Sequence, residues 1–467
     1  MASIQATGRP GVAADLAAMV NDLRLVHGTG RTRSLEWRRR QLEGIERLLE
    51  EREQEIAAAL AADLGRPAAE AWLGDIASTA AEAAYVRKRL RRWMRPERIG
   101  LSLTQLPGSA SVIREPKGVV LVIGPWNYPV YLCLGPLVAA VAAGNCVVVK
   151  PSELAPATSR LLAQLIPDYL DGEAIKVVEG DAATTQSLLA LGFDHALFTG
   201  GTEIGKRIME GASATLTPVT LELGGKSPVI VTEDADLDVV ARRVAWVKLM
   251  NSGQTCISPD YVIAHGSISA KLAEKIAENF RAFRSDQPEA GQRIVNERQF
   301  NRLVGYLAAS SGRVLTGGQH DRESLRIEPT ILLDPNLSEP VMVEEIFGPI
   351  LPILSYESLD EAVNLVNSRP KPLALYVFSK RRDIQDRLVA EIPAGGVVVN
   401  HVALHCLVPQ LPFGGVGASG IGAYHGRWGF EEFSHRKAVL SKTFRPDLRL
   451  IYPPYSDRAM KVMRKLF

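Results

Sequence analysis

Residues 12–93 are rich in Ala, Leu, Glu and Arg, with apolar positions at helical spacing and almost no proline. The pattern predicts several amphipathic helices, among them 35–51 and 53–64. Between 119 and 222 it changes. Short apolar runs at 119–123, 146–149, 175–178, 196–198 and 219–221 alternate with helical stretches at 131–143, 157–170, 183–191 and 203–211. Strands separated by helices of this length predict βαβ units and a parallel sheet, and five such strands predict a doubly wound, dinucleotide-type unit. A second alternating set follows, with strands at 229–231, 261–264, 331–333, 373–378 and 396–399 and helices at 236–250, 269–283, 296–310, 359–366 and 382–391. A second α/β unit is therefore expected from about residue 225. No repeat or low-complexity linker interrupts the pattern, and the tail from Phe444 breaks from it with Tyr452-Pro-Pro-Tyr455 and a short basic end.

Composition narrows the class. At 467 residues the chain is too long for one ordinary domain, and 46% hydrophobic content supports a sizeable core. A net charge of +2 gives no global reason to expect nucleic acid as a partner. The basic run 87–95 reads first as a solvated helix face, with phosphate or membrane contact as the lesser alternative. Cys133, Cys146, Cys256 and Cys406 show no metal-type spacing, so free thiols, a reducing compartment and no metal are expected. The N-terminal string has no basic segment followed by an apolar run, so no export signal is read there. Residues 118–149 carry no charge, but Pro125, Pro129 and Pro136, with Asn127 and Asn145, interrupt the stretch. It reads as a buried strand–turn–helix–strand rather than a membrane span.

Four places could carry chemistry. Cys256 lies in a polar loop, Asn251-Ser-Gly-Gln-Thr-Cys256, 34 positions after Glu222, which ends an apolar run. A thiol and a carboxylate on glycine-flanked turns suggest a nucleophile and a base acting through a thioester. Cys133 and Cys146 sit in apolar runs and read as core, and Cys406 and His405 are sequence neighbours that an extended chain would aim apart. Asn127, between Pro125 and Pro129, is a rigidly placed amide that could steady an oxyanion, or simply a turn residue. Phe198-Thr-Gly-Gly-Thr-Glu-Ile-Gly-Lys206 follows a strand and opens a helix, as a phosphate-binding turn does, although position 202 is Thr. Lys150 and Glu153, just after the second strand, could hold ribose hydroxyls, and the acid favours NAD over NADP; a solvated turn is the alternative.

Taken together these strings resemble the aldehyde dehydrogenase superfamily. Pro125-Trp-Asn-Tyr-Pro129, Lys150-Pro-Ser-Glu153, the glycine turn, Leu221-Glu-Leu-Gly-Gly-Lys-Ser-Pro228, Gly253-Gln-Thr-Cys256 and Glu344-Glu-Ile-Phe-Gly-Pro349 occur in that order, and the likeness runs to about residue 440. A short N-terminus, Trp246 ahead of the cysteine loop and Pro412-Phe-Gly-Gly-Val-Gly-Ala-Ser-Gly-Ile-Gly-Ala-Tyr-His-Gly426 point to the class 3 branch, which includes fatty, aromatic and coniferyl aldehyde dehydrogenases. The resemblance implies Cys256 as nucleophile, Asn127 and the Cys256 N–H as oxyanion donors, hydride transfer to nicotinamide, and Glu222 as the base that activates water. It implies NAD, with NADP possible, held by Trp126, Lys150, Glu153, Gly200, Gly201, Gly205, Leu223, Glu345 and Phe347. Tyr128, Tyr131, Trp246, Thr255, Ile257, His401 and His405 would meet an aromatic or medium-to-long aliphatic aldehyde. His401 stands where class 3 relatives often have Asp, and Gly201 where relatives often have another small or polar residue.

The resemblance also sets an architecture. It has a Rossmann-like five-stranded parallel cofactor unit (1–96 and 116–224), a second α/β catalytic unit (225–420), a small β oligomerisation extension (97–115 and 421–445) and a tail (446–467). Exposed strand edges in the extension imply a homodimer. No membrane anchor is read at the end, so a soluble, cytoplasmic enzyme is expected. Two other readings stand beside it: a CoA-acylating relative, and a catalytically silent structural or binding protein on the same fold.

Overall fold

A computed structural model describes residues 4–6, 12–284, 292–447 and 451–466. Most of the N-terminal stretch scanned for an export signal and part of the tail lie outside the described residues. The predicted helices appear within one to three residues of their expected ends; Leu35–Glu51, Glu53–Leu64, Tyr131–Ala143 and Arg382–Glu391 match as read.

Five parallel strands form the heart of the first sheet, in the order Ile175–Gly180, Cys146–Lys150, Val119–Ile123, His195–Thr199, Val219–Glu222. In chain order that is 3-2-1-4-5, a doubly wound arrangement whose direction reverses between the first and fourth strands. The three central strands are buried along their whole length, which explains their continuous apolar runs. Two further strands extend the sheet beyond the expected five. Ile4–Ala6 adds in parallel at one edge, and Gly420–Ile421 adds antiparallel at the other. Strands of three and two residues carry no readable period, so the sequence pattern could not reveal them.

The second sheet has seven strands, in the order Arg313–Thr316, Thr330–Leu333, Ile350–Tyr356, Tyr261–His265, Pro228–Val231, Ala374–Phe378, Gly396–Val399. All neighbours run parallel except the first pair. The pattern missed Ile350–Tyr356 because Pro349 and Pro352 read as breakers. Pro352 is tolerated because pairing with Tyr261–His265 begins only at Ile353. A separate three-stranded antiparallel sheet joins Ser434–Lys442, Gly108–Pro116 and Glu97–Ile99. Among the described residues no helix is long and apolar enough to cross a membrane; the uncharged stretch is the strand–helix–strand expected.

One buried ion pair locks the N-terminal helices onto the first sheet. Trp72–Ala77 is a π-helical turn, and its Asp75 is fully buried. Asp75 pairs with Arg66, and both side chains are inaccessible to solvent. The second oxygen of Asp75 accepts the N–H groups of Val130 and Tyr131, at 3.0 and 2.9 Å, where helix Tyr131–Ala143 begins. Those donors have no partner within the helix, so a carboxylate there satisfies them and suits the helix dipole. Arg66 also donates to the carbonyl of Asn127 and stacks over the Tyr128 ring at 4.4 Å. Breaking a buried pair leaves an uncompensated charge, so Asp75→Ala is expected to cost about 3–5 kcal/mol. Thermal unfolding should show a large loss for Asp75→Ala and a smaller one for the paired Arg66→Met/Asp75→Leu variant; equal melting of Asp75→Ala and the parent would show that the pair does not secure the fold.

Candidate active site

A cavity of about 810 Å³ lies where the carboxyl edge of the first sheet faces the amino edge of the second. The first sheet contributes Gly124–Asn127, Lys150, Gly200, Gly201 and Glu222, and the second unit contributes Cys256, Glu345 and Phe347. The volume falls within the ~300–1,000 Å³ usual for ligand sites. All three residues read as catalytic, and seven of the nine read as cofactor-binding, line this one space. Gly205 and Leu223 sit behind it, where a Cβ on Gly205 would come within 2.7 Å of Leu223. The pair thus lets helix Thr202–Ser213 approach the strand end.

The Cys256 loop is bent by three consecutive left-handed residues, Asn251, Ser252 and Gly253, with φ of 51°, 50° and 72°. For two non-glycine residues this is strained backbone, held only where surroundings over-determine it. They do. Glu70 accepts the Asn251 N–H at 3.1 Å, and Ser252 Oγ donates to the Gln292 carbonyl at 2.5 Å. Buried Gln254 donates to the carbonyls of Asn251 and Arg293 and accepts from the Val295 N–H. Gly253 has no substitute: its Cβ would lie 2.3 Å from the Gly348 carbonyl. Asn127 is tied to this loop by its own amide, which donates to the Gln254 carbonyl at 3.1 Å, while Asn251 donates to the Asn127 carbonyl at 3.0 Å. The amide therefore sits beside Cys256 through two reciprocal bonds.

Electrostatics make the site a cluster of suppressed acids. Glu222 is buried, and neither carboxyl oxygen has a protein partner. Burial pushes it well above the ordinary carboxylate range, and Glu432 adds to the rise. Glu345 is raised to about 8 by burial and then by Asp260, against a bond from the Gly225 N–H and the charge of Lys226. Burial, then Glu345 and Glu222, raise the Cys256 thiol. Phe347, at φ 49°, meets the Trp126 ring edge-on at 5.4 Å.

At the other end of the cavity Lys150 is buried and binds Glu153 at 2.8 Å. Gly200 follows strand His195–Thr199, and Gly201 precedes helix Thr202–Ser213, whose first three residues line the cavity. A Cβ on Gly224 would fall 2.2 Å from Glu345, so that glycine gives the acid its room. A phosphate-accepting helix start, a lysine–carboxylate pair and an apolar ring pair along one cleft fit a dinucleotide.

None of the seven residues read as substrate-facing lines the large cavity. Tyr131 lines a smaller one of about 230 Å³, with Trp72, Leu73, Cys406, Leu407 and Pro409. Tyr128 bonds Thr255 at 3.1 Å, next to the nucleophile, and the Ile257 carbonyl accepts from Tyr376. His405 packs between Tyr376 and Phe413 and is held to about 4 by burial, hence neutral. His401 bonds its neighbour Val402, and Trp246 is 37% exposed on helix Leu237–Leu249, so the structure gives neither a partner across the site.

Sequence reasoning missed the supporting residues: Arg66, Glu70, Asp75, Gln254, and the buried Lys226–Asp260 pair whose acid accepts the Ile346 N–H at 2.9 Å. A polar residue on the apolar face of a predicted helix is the signal that could have found Asp75. Raised neighbours make the thiol a poor nucleophile in the free protein. Alkylation of Cys256 by iodoacetamide, followed by peptide mass spectrometry, should still be accelerating above pH 9. Glu345→Gln, which removes the largest neighbouring charge, should alkylate faster at pH 8–9, and an unchanged rate there would contradict the assigned coupling.

The comparisons with known proteins agree with this geometry. The model of the "Aldehyde dehydrogenase family" matches residues 4–439. The chain is 44% identical over 459 residues to aldehyde dehydrogenase family 3 member H1 of Arabidopsis thaliana, covering 97% of this chain and 95% of that protein. It is 45% identical over 427 residues to the dimeric NADP-preferring aldehyde dehydrogenase of Rattus norvegicus, covering 91% and 94%. Its fold is similar to the substrate-bound state of Staphylococcus aureus AldH, with a TM-score of 0.93 and 38% identity over 96% of this chain and 99% of that one.

Proposed function

The chain belongs to the aldehyde dehydrogenase family, with family 3 members among its relatives; it is an NAD(P)-dependent oxidoreductase that converts an aldehyde to a carboxylic acid, and we propose how its residues divide that work. The observation that carries the assignment is Glu222: a buried carboxylate with no protein partner, lining the same cavity as Cys256 and Asn127. A buried acid is left unpaired at a cost of several kcal/mol unless something used in function, such as a water, fills its place.

Cys256 adds to the aldehyde carbon. The Asn127 amide and the Cys256 N–H hold the resulting oxyanion, with the strained loop fixing both donors before the substrate arrives. When bound, NAD or NADP would supply the acceptor for the hydride that leaves the adduct carbon, which turns the adduct into the Cys256 thioester. Lys150 and Glu153 would hold the ribose, Gly200 and Gly201 would admit the pyrophosphate with Gly205 packed on Leu223 behind them to set the helix start, and Trp126, Glu345 and Phe347 would place the nicotinamide end. Glu222 takes a proton from water, which then cleaves the Cys256 thioester. The raised thiol and carboxyl suit this sequence, because each is a strong base once it has lost its proton.

Aromatic or medium-to-long aliphatic aldehydes are the substrate class, supported by the apolar lining of the smaller cavity beside Tyr131. Tyr128, Thr255 and Ile257 flank the nucleophile, and Trp246, His401 and His405 belong to the outer wall. Residues 1–96 and 116–224 form the cofactor unit, 225–420 the catalytic unit, and 97–115 with 421–445 the extension through which a homodimer assembles. The rat relative's name records both a dimer and a preference for NADP. The cytoplasm is the proposed location.

Cys256→Ala should abolish NADH formation while leaving folding and NAD binding, read by calorimetry, intact; retained turnover would remove Cys256 as nucleophile. A CoA-acylating relative has no use for a base that activates water. Turnover with aldehyde and NAD should therefore proceed without CoA, and a strict CoA requirement would overturn the hydrolytic assignment of Glu222.

A further inference from the structure

Deacylation leaves a proton on Glu222. Water adds to the acyl carbon as its proton goes to the Glu222 carboxylate, the C–S bond breaks, Cys256 leaves as thiolate, and the acid departs. Glu222 must lose that proton before it can act again, yet it is buried and no protein group bonds either oxygen.

A chain of polar groups meets the strand of Glu222 at Thr220. Thr220 and Glu222 are two residues apart on Val219–Glu222, so their side chains leave the same face. Thr220 Oγ1 donates to Glu432 Oε1 at 2.5 Å. Behind it, buried His195 bonds Thr220 through Nε2 at 2.8 Å, and Lys117 Nζ reaches His195 Nδ1 at 3.0 Å. With Thr220 donating onward, His195 is the neutral Nε2–H tautomer, in keeping with burial and Lys117 lowering it to about 3. Donors thus run in one direction, Lys117 to His195 to Thr220, and end on the Glu432 carboxylate. Register explains how Glu432 gets there. Gly420 pairs with Glu222 and Ile421 with Leu221, so Gly422 lies beside Thr220. A Cβ at 422 would fall 2.8 Å from Glu432 Oε1 and 3.0 Å from Thr220 Cγ2. Only a residue without a side chain lets Glu432 reach over this edge. Its own side chain remains 28% exposed, while that of His195 is sealed.

We propose that Glu432, the last residue of helix Gly426–Glu432, is the positioning and proton-relay residue for Glu222: it accepts the proton left by deacylation and releases it to solvent. The proposal rests on Glu222 being the base. The proton crosses from Glu222 to Glu432 by way of water, since no protein group bonds the Glu222 oxygens, and then passes to bulk water, so no other reactant is needed. Other groups face this pair. Cys256 and Tyr424 face Glu222, with Glu345 beyond Cys256. His195 and Lys117 face Glu432.

The test uses a p-nitrophenyl ester, which acylates Cys256 without cofactor. Nitrophenolate appears as a burst on acylation and then at the deacylation rate. Glu432→Gln is expected to keep the burst and slow the later phase about tenfold, less than the ~10²–10⁴ for loss of a positioned acid–base group itself. Glu432→Asp should recover much of the rate. Removing the negative charge also lowers the pKa of Glu222, so the acid limb of the deacylation profile should move to lower pH. A later phase and acid limb both unchanged in Glu432→Gln would overturn the relay. So would equal loss of burst and later phase with a lowered melting temperature, which marks a structural role. Glu222→Gln is run in parallel. If it keeps the later phase, the base assignment itself fails; if it loses that phase while Glu432→Gln does not, only the relay fails.

Discussion

The site depends on a carboxylate that never touches it. Asp75 holds the first N–H groups of helix Tyr131–Ala143 on one side and Arg66 on the other, and Arg66 reaches the Asn127 carbonyl and the Tyr128 ring. Asn127 in turn shares two hydrogen bonds with the Cys256 loop. The oxyanion donor is thus fixed by a continuous path from a π-helical turn in the N-terminal helices, through a buried ion pair, to the strained backbone before the nucleophile. The residues along it are almost entirely desolvated, where hydrogen bonds are strongest and an unmade one is most costly. That is the setting in which positive φ at Asn251 and Ser252 can persist.

Burial has the opposite effect on the reacting groups. Cys256, Glu222 and Glu345 share one cavity wall, and each is pushed toward its neutral form. A thiol raised by burial and by both of these acids forms a resting site with little nucleophilic thiolate. The same desolvation makes each a stronger base once ionised. The arrangement trades readiness in the empty protein for reactivity in the loaded one, and it leaves proton removal as the step the buried site cannot perform alone.

Much of this was legible in the sequence. Long buried strands declare themselves by continuous apolar runs, so the five parallel strands of the first sheet and most strands of the second could be drawn from the pattern, though not their order in space. Cys256, Glu222 and Asn127 could be singled out because each is polar in a glycine- or proline-marked turn. What escaped was of two kinds. Very short edge strands and Ile350–Tyr356, with its two prolines, lack the period by which strands are read. Supporting residues such as Asp75, Gln254 and Glu432 act through partners 55, 41 and 212 positions away, and spacing along the chain says nothing of such contacts.

The two sheets also meet in an unequal way. In doubly wound folds ligands gather at the carboxyl ends of strands, and the first sheet obeys that rule with Asn127, Lys150, Gly200 and Glu222. The second sheet presents its amino ends: Cys256 precedes Tyr261–His265, and Glu345 precedes Ile350–Tyr356. Opposed edges are what one cavity serving two reactants requires. The carboxyl edge supplies the helix start and glycines suited to a phosphate. The amino edge supplies loops free to bend sharply, since no strand register constrains them until several residues later. Glu222 ends the last parallel strand of one sheet, and Pro228 begins the other only six residues on. The base therefore stands at the seam, and the short antiparallel strand Gly420–Ile421 that covers it brings Gly422 beside Thr220. The edge strand that the sequence pattern could not show is the one that admits Glu432 to Thr220, two residues from the base.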